Sequence, residues 1–406
     1  MMQSDAGMFA RGGLDNYKLP LESMRIAASI RQDVRYEGHD RIRITERFGP
    51  EYVPVLSYAM NIRIGNTQKP YEIWTEVSCD KTVSYQLRLS KWQEGAADIF
   101  LGEQILEGPL TGPVPLVKDF NGFLSVELWA RGEGRLCVGE LHYREIQETE
   151  GTFLPGDVRH ADSAGEEFFS YLNRMDGKPP LNVYFSGYRS LEGFEGYHMM
   201  RSMGAPFLLL ADPRLEGGSF YLGSEEYEQK LEETIRDAMK QLGFSGQQVI
   251  MSGISMGTLG AAYYSAAILP HTVILGKPLM NAGAVAANEK LLRPGGFATS
   301  LDVLLHLEGA TDEAAVQRLN HRMWNRFDRA DFSGTSFAVS YMQQDDYDPS
   351  AYENLLEHLK GKTVQIYGKG MSGRHNDNTD GIVQWLKRQY RKILQEDFGR
   401  DQEESG

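Results

Sequence analysis

Residues 248–260 read QVIMSGISMGTLG, an apolar run that passes directly into a Gly-x-Ser-x-Gly motif. The run 248–252 has the length of a buried strand, and the small residues of GAAYYSAA (260–267) predict a helix after it. A serine at such a junction sits on a strained turn, because glycines two positions away let neighbouring backbone pass without a Cβ clash. The pattern predicts that Ser255 projects above a sheet at a helix N-terminus, where partial positive charge stabilises an oxyanion.

This strand–turn–helix arrangement is typical of the nucleophile elbow of α/β-hydrolase-like folds, and it predicts covalent catalysis by Ser255. The chain around the motif agrees, because short apolar runs alternate with longer helical stretches such as 224–242 and 377–398. Alternation of this kind predicts a mainly parallel sheet with helices on both faces.

A serine hydroxyl is too weak an acid to attack unaided, so the chemistry requires a histidine base and a carboxylate that orients the histidine. The fold fixes their order along the chain as serine, acid and histidine, each at a strand end. His375 follows the predicted strand 364–367 and a glycine-rich turn (GKGMSGRH, 368–375) that can fold the imidazole back over Ser255. His375 is therefore predicted as the general base.

The acid is one of three aspartates in the loop QQDDYDP (343–349), which follows the predicted strand 337–342. Asp345 lies where the acid of this fold is expected, shortly after the strand. Asp346 and Asp348 stay open as alternatives, because strand ends inferred from sequence are uncertain by a few residues. Asp348 also precedes a proline and has the pattern of a turn or a helix start.

Two backbone N–H groups are expected to form the oxyanion hole, and one of them belongs to Met256. The other comes from the loop after the apolar run 182–186, where Gly187 and Tyr188 follow the first hydrolase strand. An ordinary turn would have the same sequence, because the donor of an oxyanion hole is main chain.

The loop GKPLMN (276–281) follows the apolar run 273–275 at the predicted carboxyl edge of the sheet, where open α/β sheets bind ligands. Lys277 and Asn281 are therefore candidate substrate contacts. A loop that packs against the elbow is an equally good interpretation of this segment. The segment RPGGF (293–297) is interpreted as a turn, with a substrate contact as the alternative.

The first half of the chain has a different pattern, with short runs rich in β-branched and aromatic residues. Alternation in YQLRL (85–89) and LSVELW (124–129) predicts strands with one buried and one solvated face. Breaks at GN (65–66) and GEG (132–134) separate the runs, as in an antiparallel β-sandwich. The aromatic side chains are interpreted mainly as core, with sugar stacking as the alternative.

The predicted organisation has five parts. They are an N-terminal arm (1–23), a β-sandwich (24–147), a linker (148–180), a catalytic α/β domain (181–399) and an acidic tail (400–406).

Composition excludes several classes of function. A net charge of −14 over 406 residues disfavours nucleic-acid binding, because phosphates would be repelled over most of the surface. The sequence has no apolar run long enough for a transmembrane segment and only two cysteines, Cys79 and Cys137, which favours the reducing cytoplasm. No histidine or cysteine spacing indicates a metal site, so neither a metal nor a tightly bound cofactor is expected.

Four segments of the chain together resemble a family of the accessory Sec export system of Gram-positive bacteria, the second accessory secretory protein. They are MSGISMGTLGAAYYSA (251–266), GKPLMNAG with RPGGFATSLDVL (276–283 and 293–304), YMQQDDYD (341–348) and GMSGRHNDNT (370–379). The resemblance covers most of residues 180–390. It implies that the β half is a carbohydrate-binding-like module, with further sequence before it in other members.

The resemblance implies a carbohydrate O-acetyltransferase that modifies N-acetylglucosamine on serine-rich repeat adhesins, in the cytoplasm at the export translocon. The serine, acid and histidine of the family map onto Ser255, Asp345 and His375. The implied partners are the adhesin glycan, the other accessory secretory proteins and the export motor ATPase, and acetyl-CoA is one candidate acetyl donor. Two alternatives stay open: a serine carboxylesterase or peptidase, and a non-catalytic scaffold or chaperone for adhesin export.

Overall fold

The computed structural model divides the chain into two units, Met1–Phe153 and Leu154–Gly406. The residues that it describes are 17–19, 21–30, 33–59, 61–64, 70–116, 120–147, 149–189, 191–215, 217–287 and 300–400. The GN break at 65–66, the RPGGF segment at 293–297 and nearly all of the acidic tail lie outside the described residues.

The first unit is an antiparallel sheet organised around two long strands. Its strands are β1 (Tyr17–Leu19), β2 (Met24–Ile26), β3 (Val34–Glu37), β4 (Arg41–Tyr58), β5 (Ile62–Ile64), β6 (Tyr71–Cys79), β7 (Val83–Gln93), β8 (Ala96–Glu107), β9 (Val114–Pro115) and β10 (Gly122–Glu145). Strand β10 pairs with β4 over its middle half, from Glu127 to Val138, and with β7 and then β6 on its other side. The predicted antiparallel β domain is confirmed, although hydrogen bonds join its described strands into one sheet.

The predicted break at GEG (132–134) is wrong, because this segment lies inside β10. The register between β10 and β4 shifts on both sides of Gly132, so the segment forms β-bulges instead of a turn. Gly132 and Gly134 have φ values of 99° and 146°, which glycine adopts without a Cβ penalty. The two runs that the sequence separates therefore form one 24-residue strand.

The core of the first unit follows the predicted alternation. Leu87, Leu89, Val126 and Leu128 are fully buried. Five aromatic residues are also buried: Tyr58, Tyr71, Trp74, Tyr85 and Tyr143. Their burial confirms the interpretation of the aromatic side chains mainly as core. Cys79 and Cys137 are free thiols, and burial raises the pKa of both.

The second unit is an eight-stranded sheet covered by helices. Its elements are β11 (Val158–Ala161), β12 (Glu167–Asn173), β13 (Leu181–Phe185), α1 (Tyr197–Arg201), β14 (Phe207–Ala211), α2 (Glu225–Leu242), β15 (Val249–Ile254), α3 (Gly257–Ile268), β16 (Thr272–Gly276), α4 (Ala282–Ala287), α5 (Ser300–Glu308), α6 (Glu313–Arg329), β17 (Ser336–Met342), α7 (Ala351–Leu359), β18 (Gln365–Met371) and α8 (Thr379–Glu396). The strand order is β11-β12-β14-β13-β15-β16-β17-β18, and the strands from β14 to β18 run parallel. This is the predicted α/β-hydrolase-like sheet.

Helices cover both faces of this sheet, as its strands are apolar on both sides. In β16, Val273 and Leu275 pack into the core that contains α2, α3 and α6, whereas Ile274 packs into the core that contains α8. Helix α2 begins where Ser224 Oγ accepts the Tyr227 N–H at 3.0 Å. Among the described residues, no helix combines the length and apolar character that crossing a membrane requires.

The predicted linker at 148–180 is wrong for most of its length. It contains β11 and β12, which form an antiparallel hairpin, and β12 joins the sheet beside β14. The polar residues of this segment build the hairpin turn, where Asp162 Oδ1 accepts the N–H groups of Ala164 and Glu166, each at 2.9 Å. The predicted N-terminal arm likewise contributes β1, which pairs with β10.

Candidate active site

Ser255 lies between the end of β15 and the start of α3, at the carboxyl edge of the sheet. Its φ of 55° is left-handed, a costly conformation for a residue with a Cβ and one typical of a nucleophile elbow. The Ser255 N–H donates to the Gly276 carbonyl at 2.8 Å, and the Thr258 N–H donates to the Ser255 carbonyl at 2.9 Å. The strand, turn and helix predicted from residues 248–260 are therefore confirmed.

The glycines of the motif are required by close backbone approach. A Cβ on Gly257 would overlap the carbonyl oxygen of Phe185 in β13, which is a backbone atom and cannot rotate away. A Cβ on Gly253 would overlap the backbone of Gly257 itself. The two glycines thus let α3 approach the strands closely enough to hold the elbow.

Gly257→Ala is expected to lower the free energy of unfolding by about 3 kcal/mol, because overpacking against backbone forces the elbow to shift. Gly243→Ala is the control, since Gly243 has a left-handed φ of 73°, which Gly257 does not, and no atom lies within 4 Å of an added Cβ. In that control the free energy of unfolding should fall by only about 1 kcal/mol, because a Cβ is strained in left-handed backbone. Chemical denaturation measures both values, and equal losses would contradict the steric argument.

His375 follows β18 and reaches back over the elbow. Its Nε2 lies 2.8 Å from Ser255 Oγ, within the distance required of a general base. The His375 side chain is 1% exposed, and the ring of Tyr347 lies 4.4 Å from the imidazole. The hydroxyl can therefore donate its hydrogen to a base that is shielded from bulk water.

Asp345 is the aspartate that contacts the other ring nitrogen of His375. Its Oδ2 lies 2.8 Å from His375 Nδ1, and its Oδ1 accepts the N–H groups of Tyr347 at 2.8 Å and Asp348 at 3.0 Å. Burial raises the pKa of Asp345, but the hydrogen bond and charge of His375 and the two backbone N–H groups outweigh it, so the pKa lies below its ordinary value. The carboxylate is ionised at neutral pH and can orient and stabilise an imidazolium.

The two alternative aspartates have other partners. Asp346 Oδ1 accepts the backbone N–H of His375 at 3.0 Å. Asp348 Oδ2 accepts the N–H groups of Met280 at 2.7 Å and Asn281 at 2.8 Å. Asp346 therefore fixes the backbone of the histidine and Asp348 joins two loops, so the geometry favours Asp345 as the acid of the triad.

The side chain of Asn281, a candidate substrate contact, forms hydrogen bonds with other residues of the protein. Its Nδ2 donates to Asp348 Oδ1 at 2.9 Å and to Asn354 Oδ1 at 3.0 Å. Its Oδ1 accepts the Nε1–H of Trp324 at 2.9 Å. The structure therefore favours the alternative in which this loop packs against its neighbours, and a substrate contact by Asn281 stays a prediction.

Asn281→Ala is expected to lower the free energy of unfolding by about 2–4 kcal/mol, because Asp348, Asn354 and Trp324 each lose a hydrogen-bond partner. The KM for an aryl acetate should stay within about twofold at a temperature where the variant is folded. A substrate ligand would behave in the opposite way, with a KM raised about tenfold and little loss of stability. Denaturation and steady-state kinetics on one preparation separate the two results.

Lys277 lies directly after β16 and is 4% exposed. Its Nζ donates to Thr379 Oγ1 at 3.2 Å. Burial lowers the pKa of Lys277, and the negative charges of Asp345 and Glu195 oppose this effect. The ammonium is thus buried at the catalytic edge of the sheet, and its role as a substrate contact stays a prediction.

Two of the predicted oxyanion donors, the amides of Met256 and Gly187, differ in whether they already have an acceptor. The amide of Met256 follows Ser255 at the N-terminus of α3, where helix N–H groups have no acceptor within the helix. The amide of Gly187, in contrast, donates to Glu195 Oε2 at 2.7 Å. Because a carboxylate occupies the Gly187 N–H in this structure, Tyr188 is preferred as the second donor, and both assignments stay predictions.

One group of possible metal ligands occurs in the first unit, where Glu76, Glu140 and His142 place their ligand atoms within 4.8 Å of one another. Lys18 Nζ lies 3.0 Å from Glu140 Oε2, and His142 Nε2 lies 3.0 Å from Glu76 Oε1. An ammonium group in this position opposes the binding of a cation. The group is accordingly explained as an ion-pair network.

Comparison with known proteins identifies the family. The family described as the accessory Sec system GspB-transporter matches residues 7–400. The chain belongs to this family. An accessory Sec system protein of Staphylococcus aureus is 42% identical over 379 residues, which are 92% of this chain and 72% of the relative. A second one, from Streptococcus gordonii, is 40% identical over 391 residues, which are 96% of this chain and 76% of the relative.

A solved structure agrees with the accessory Sec assignment. A chain in the Glycosylation Associate Protein complex from Streptococcus agalactiae is 41% identical and has a TM-score of 0.91, over 96% of this chain and 76% of that chain. The resemblance found in the sequence is confirmed at the level of the accessory Sec family.

Proposed function

We propose that this accessory Sec protein is an O-acetyltransferase that acts on N-acetylglucosamine of serine-rich repeat adhesins, in the cytoplasm at the export translocon. The observation that carries the proposal is the hydrogen-bonded series of Ser255, His375 and Asp345 on an α/β-hydrolase-like sheet. Such a series activates a serine for acyl transfer. Family membership supports the adhesin as acceptor, and the name of the solved relative refers to glycosylation.

The first step acetylates the enzyme. Ser255 Oγ attacks the carbonyl carbon of the acetyl donor, for which acetyl-CoA is one candidate, while its proton passes to His375 Nε2. The tetrahedral oxyanion is held by the Met256 N–H and by a second amide from the loop after β13. The bond from the carbonyl carbon to the leaving group breaks, the proton moves from His375 to that group, and acetyl-Ser255 is left.

The second step transfers the acetyl group to the sugar. A hydroxyl of N-acetylglucosamine gives its proton to His375 Nε2 and attacks the acetyl-Ser255 carbonyl. The ester bond to Ser255 then breaks, and the proton returns to Ser255 Oγ. Asp345 stabilises the imidazolium in both steps and does not itself take the proton.

Transfer competes with hydrolysis, because water can replace the sugar in the second step. Transfer therefore requires a pocket that admits the sugar hydroxyl to His375 and keeps water away from acetyl-Ser255. The test supplies acetyl-CoA or an aryl acetate with an N-acetylglucosamine glycopeptide and detects the acetylated glycopeptide by mass spectrometry. Turnover of the aryl ester with no acetylated glycopeptide would overturn the proposal and favour a carboxylesterase.

The proposal also names partners, namely the other accessory secretory proteins and the export motor ATPase. The solved relative from Streptococcus agalactiae was determined as a complex, which supports assembly with other proteins. Co-purification of the tagged chain from cells with the other accessory secretory proteins tests this part, and purification of the tagged chain alone would contradict it.

A further inference from the structure

Glu195 is a carboxylate beside the elbow that the triad does not use. It lies in the segment between β13 and α1. Its Oε2 accepts the Gly187 N–H at 2.7 Å and the Tyr184 hydroxyl at 3.1 Å. Its own N–H donates to Ser186 Oγ at 3.0 Å. One residue therefore holds three positions at the end of β13 and the start of the following loop.

The anchors of this arrangement are rigid. Tyr184 is fully buried in β13, and Ser186 is buried directly after it. The β13 backbone is paired with β15 up to Phe185, opposite Gly253. Through Glu195, the loop that contains Gly187 is therefore tied to the buried side chains of Tyr184 and Ser186. Loops are in general more mobile than the strands that they follow, so this tie restricts the loop.

Gly187 packs directly against the backbone of the elbow that carries Ser255. A Cβ on Gly187 would lie 2.9 Å from the carbonyl oxygen of Ile254, the residue before Ser255. The Gly187 N–H points to Glu195, so the orientation of this peptide group is set by the carboxylate. The next peptide group carries the N–H of Tyr188 and starts from the Cα of Gly187, so fixing Gly187 restricts where this N–H can lie.

The geometry points to Glu195 as a positioning residue for the oxyanion hole. Glu195 holds the loop so that the Tyr188 N–H faces the oxyanion formed on the acetyl group at Ser255. This role rests on the proposed acyl transfer by Ser255. An oxyanion donor acts only when it lies about 2.7–3.1 Å from the oxyanion, so a loop that drifts loses transition-state stabilisation with little loss of substrate binding.

Glu195→Ala and Glu195→Gln form the test pair. Alanine removes the acceptor, whereas the glutamine carbonyl oxygen can accept the same two hydrogen bonds without the charge. With an aryl acetate as substrate, we expect Glu195→Ala to lower kcat by about 10–100-fold with KM changed less than about threefold. Glu195→Gln should keep kcat within about threefold. Glu232→Ala, which removes a half-buried carboxylate on α2 that pairs with Arg236 and with Arg326 of α6, is the control and should keep wild-type kcat.

Amide hydrogen exchange gives a readout that does not depend on activity. Protection of the Gly187 N–H should be lost in Glu195→Ala and retained in Glu195→Gln. Unchanged protection in Glu195→Ala would overturn the inference, and so would lost protection with an unchanged kcat. A kcat that falls equally in both variants would also overturn it, because charge and not position would then be the cause.

Failure of the proposed function has a different signature. If Ser255→Ala turns over the aryl acetate as fast as wild type, the acyl-transfer mechanism is wrong, and the role of Glu195 falls with it. If Ser255→Ala is inactive and Glu195→Ala is fully active, the mechanism stands and the positioning role alone is overturned.

Discussion

Ser255→Ala is expected to lower acetyl transfer to an N-acetylglucosamine glycopeptide by roughly 10⁴–10⁶-fold, because in the proposed mechanism Ser255 carries the acetyl intermediate. Removal of the nucleophile leaves only the rate enhancement that substrate binding and the oxyanion hole provide. Fold stability should change little, since the hydroxyl lost is half-buried and its partner is the catalytic base. The measurement is the initial rate of glycopeptide acetylation, followed by mass spectrometry.

Ser265→Ala is the matched control for this substitution. Ser265 lies on α3, in the same helix that follows the elbow, and its hydroxyl donates to the Ala262 carbonyl at 2.7 Å. The control removes one serine hydroxyl from the same helix without touching the triad, so its activity should equal that of wild type. Equal activity of Ser255→Ala and Ser265→Ala would sink the covalent mechanism.

The same substitution separates an enzyme from a scaffold in cells. If the protein acts by acetylation, adhesin exported from a Ser255→Ala strain should lack O-acetyl groups on its glycans. A strain with unchanged glycans and normal export would favour the scaffold or chaperone alternative. Mass spectrometry of the exported adhesin and co-purification of the partners distinguish these results.

Asp345→Asn is expected to lower the transfer rate by about 10³–10⁴-fold, because asparagine allows the wrong tautomer of His375 and cannot stabilise the imidazolium. The asparagine oxygen can still accept the N–H groups of Tyr347 and Asp348, so the loop should keep its conformation. The measurement is kcat for an aryl acetate and for glycopeptide acetylation. Thermal denaturation of the same preparation confirms that the variant is folded.

Asp346→Asn is the matched control, since it neutralises the neighbouring carboxylate and keeps an acceptor for the His375 backbone N–H. Its kcat should stay within about threefold of wild type. A large loss in Asp346→Asn with a small loss in Asp345→Asn would assign the acid to Asp346 and contradict the geometry.

The pKa of Asp345 extends this prediction to pH dependence. Because this pKa lies below its ordinary value of 3.8, the wild-type carboxylate is already ionised at pH 5. The wild-type pH–rate profile should therefore show no acid limb from the Asp345 carboxyl group between about pH 5 and pH 9. A second acid limb in this range that is absent from Asp345→Asn would show that the carboxyl group titrates there.

Much of the catalytic unit could be predicted because the chemistry of an elbow is local. Gly253, Ser255 and Gly257 lie within five residues, and an apolar strand and a small-residue helix flank them. The order of acid and histidine along the chain then follows from the fold. The prediction of a chain break at Gly132 was wrong, because a glycine with positive φ occurs in a β-bulge as well as in a turn. The prediction at 148–180 was also wrong, because polar residues that resemble a linker form the turn of a hairpin.

The sequence by itself determined the elbow, the candidate serine and histidine, and the family, since each depends on short local motifs and on their order along the chain. The tertiary structure alone decided which aspartate lies against His375, that Asn281 joins two loops, and that Glu195 occupies the Gly187 amide. Each of these contacts depends on differences of a few ångströms in the distance between residues on separate loops. The spacing of residues along the chain carries no information about such distances. Hydrogen bonds act only over about 3 Å, so the choice among neighbouring carboxylates is made by the packing of the whole sheet.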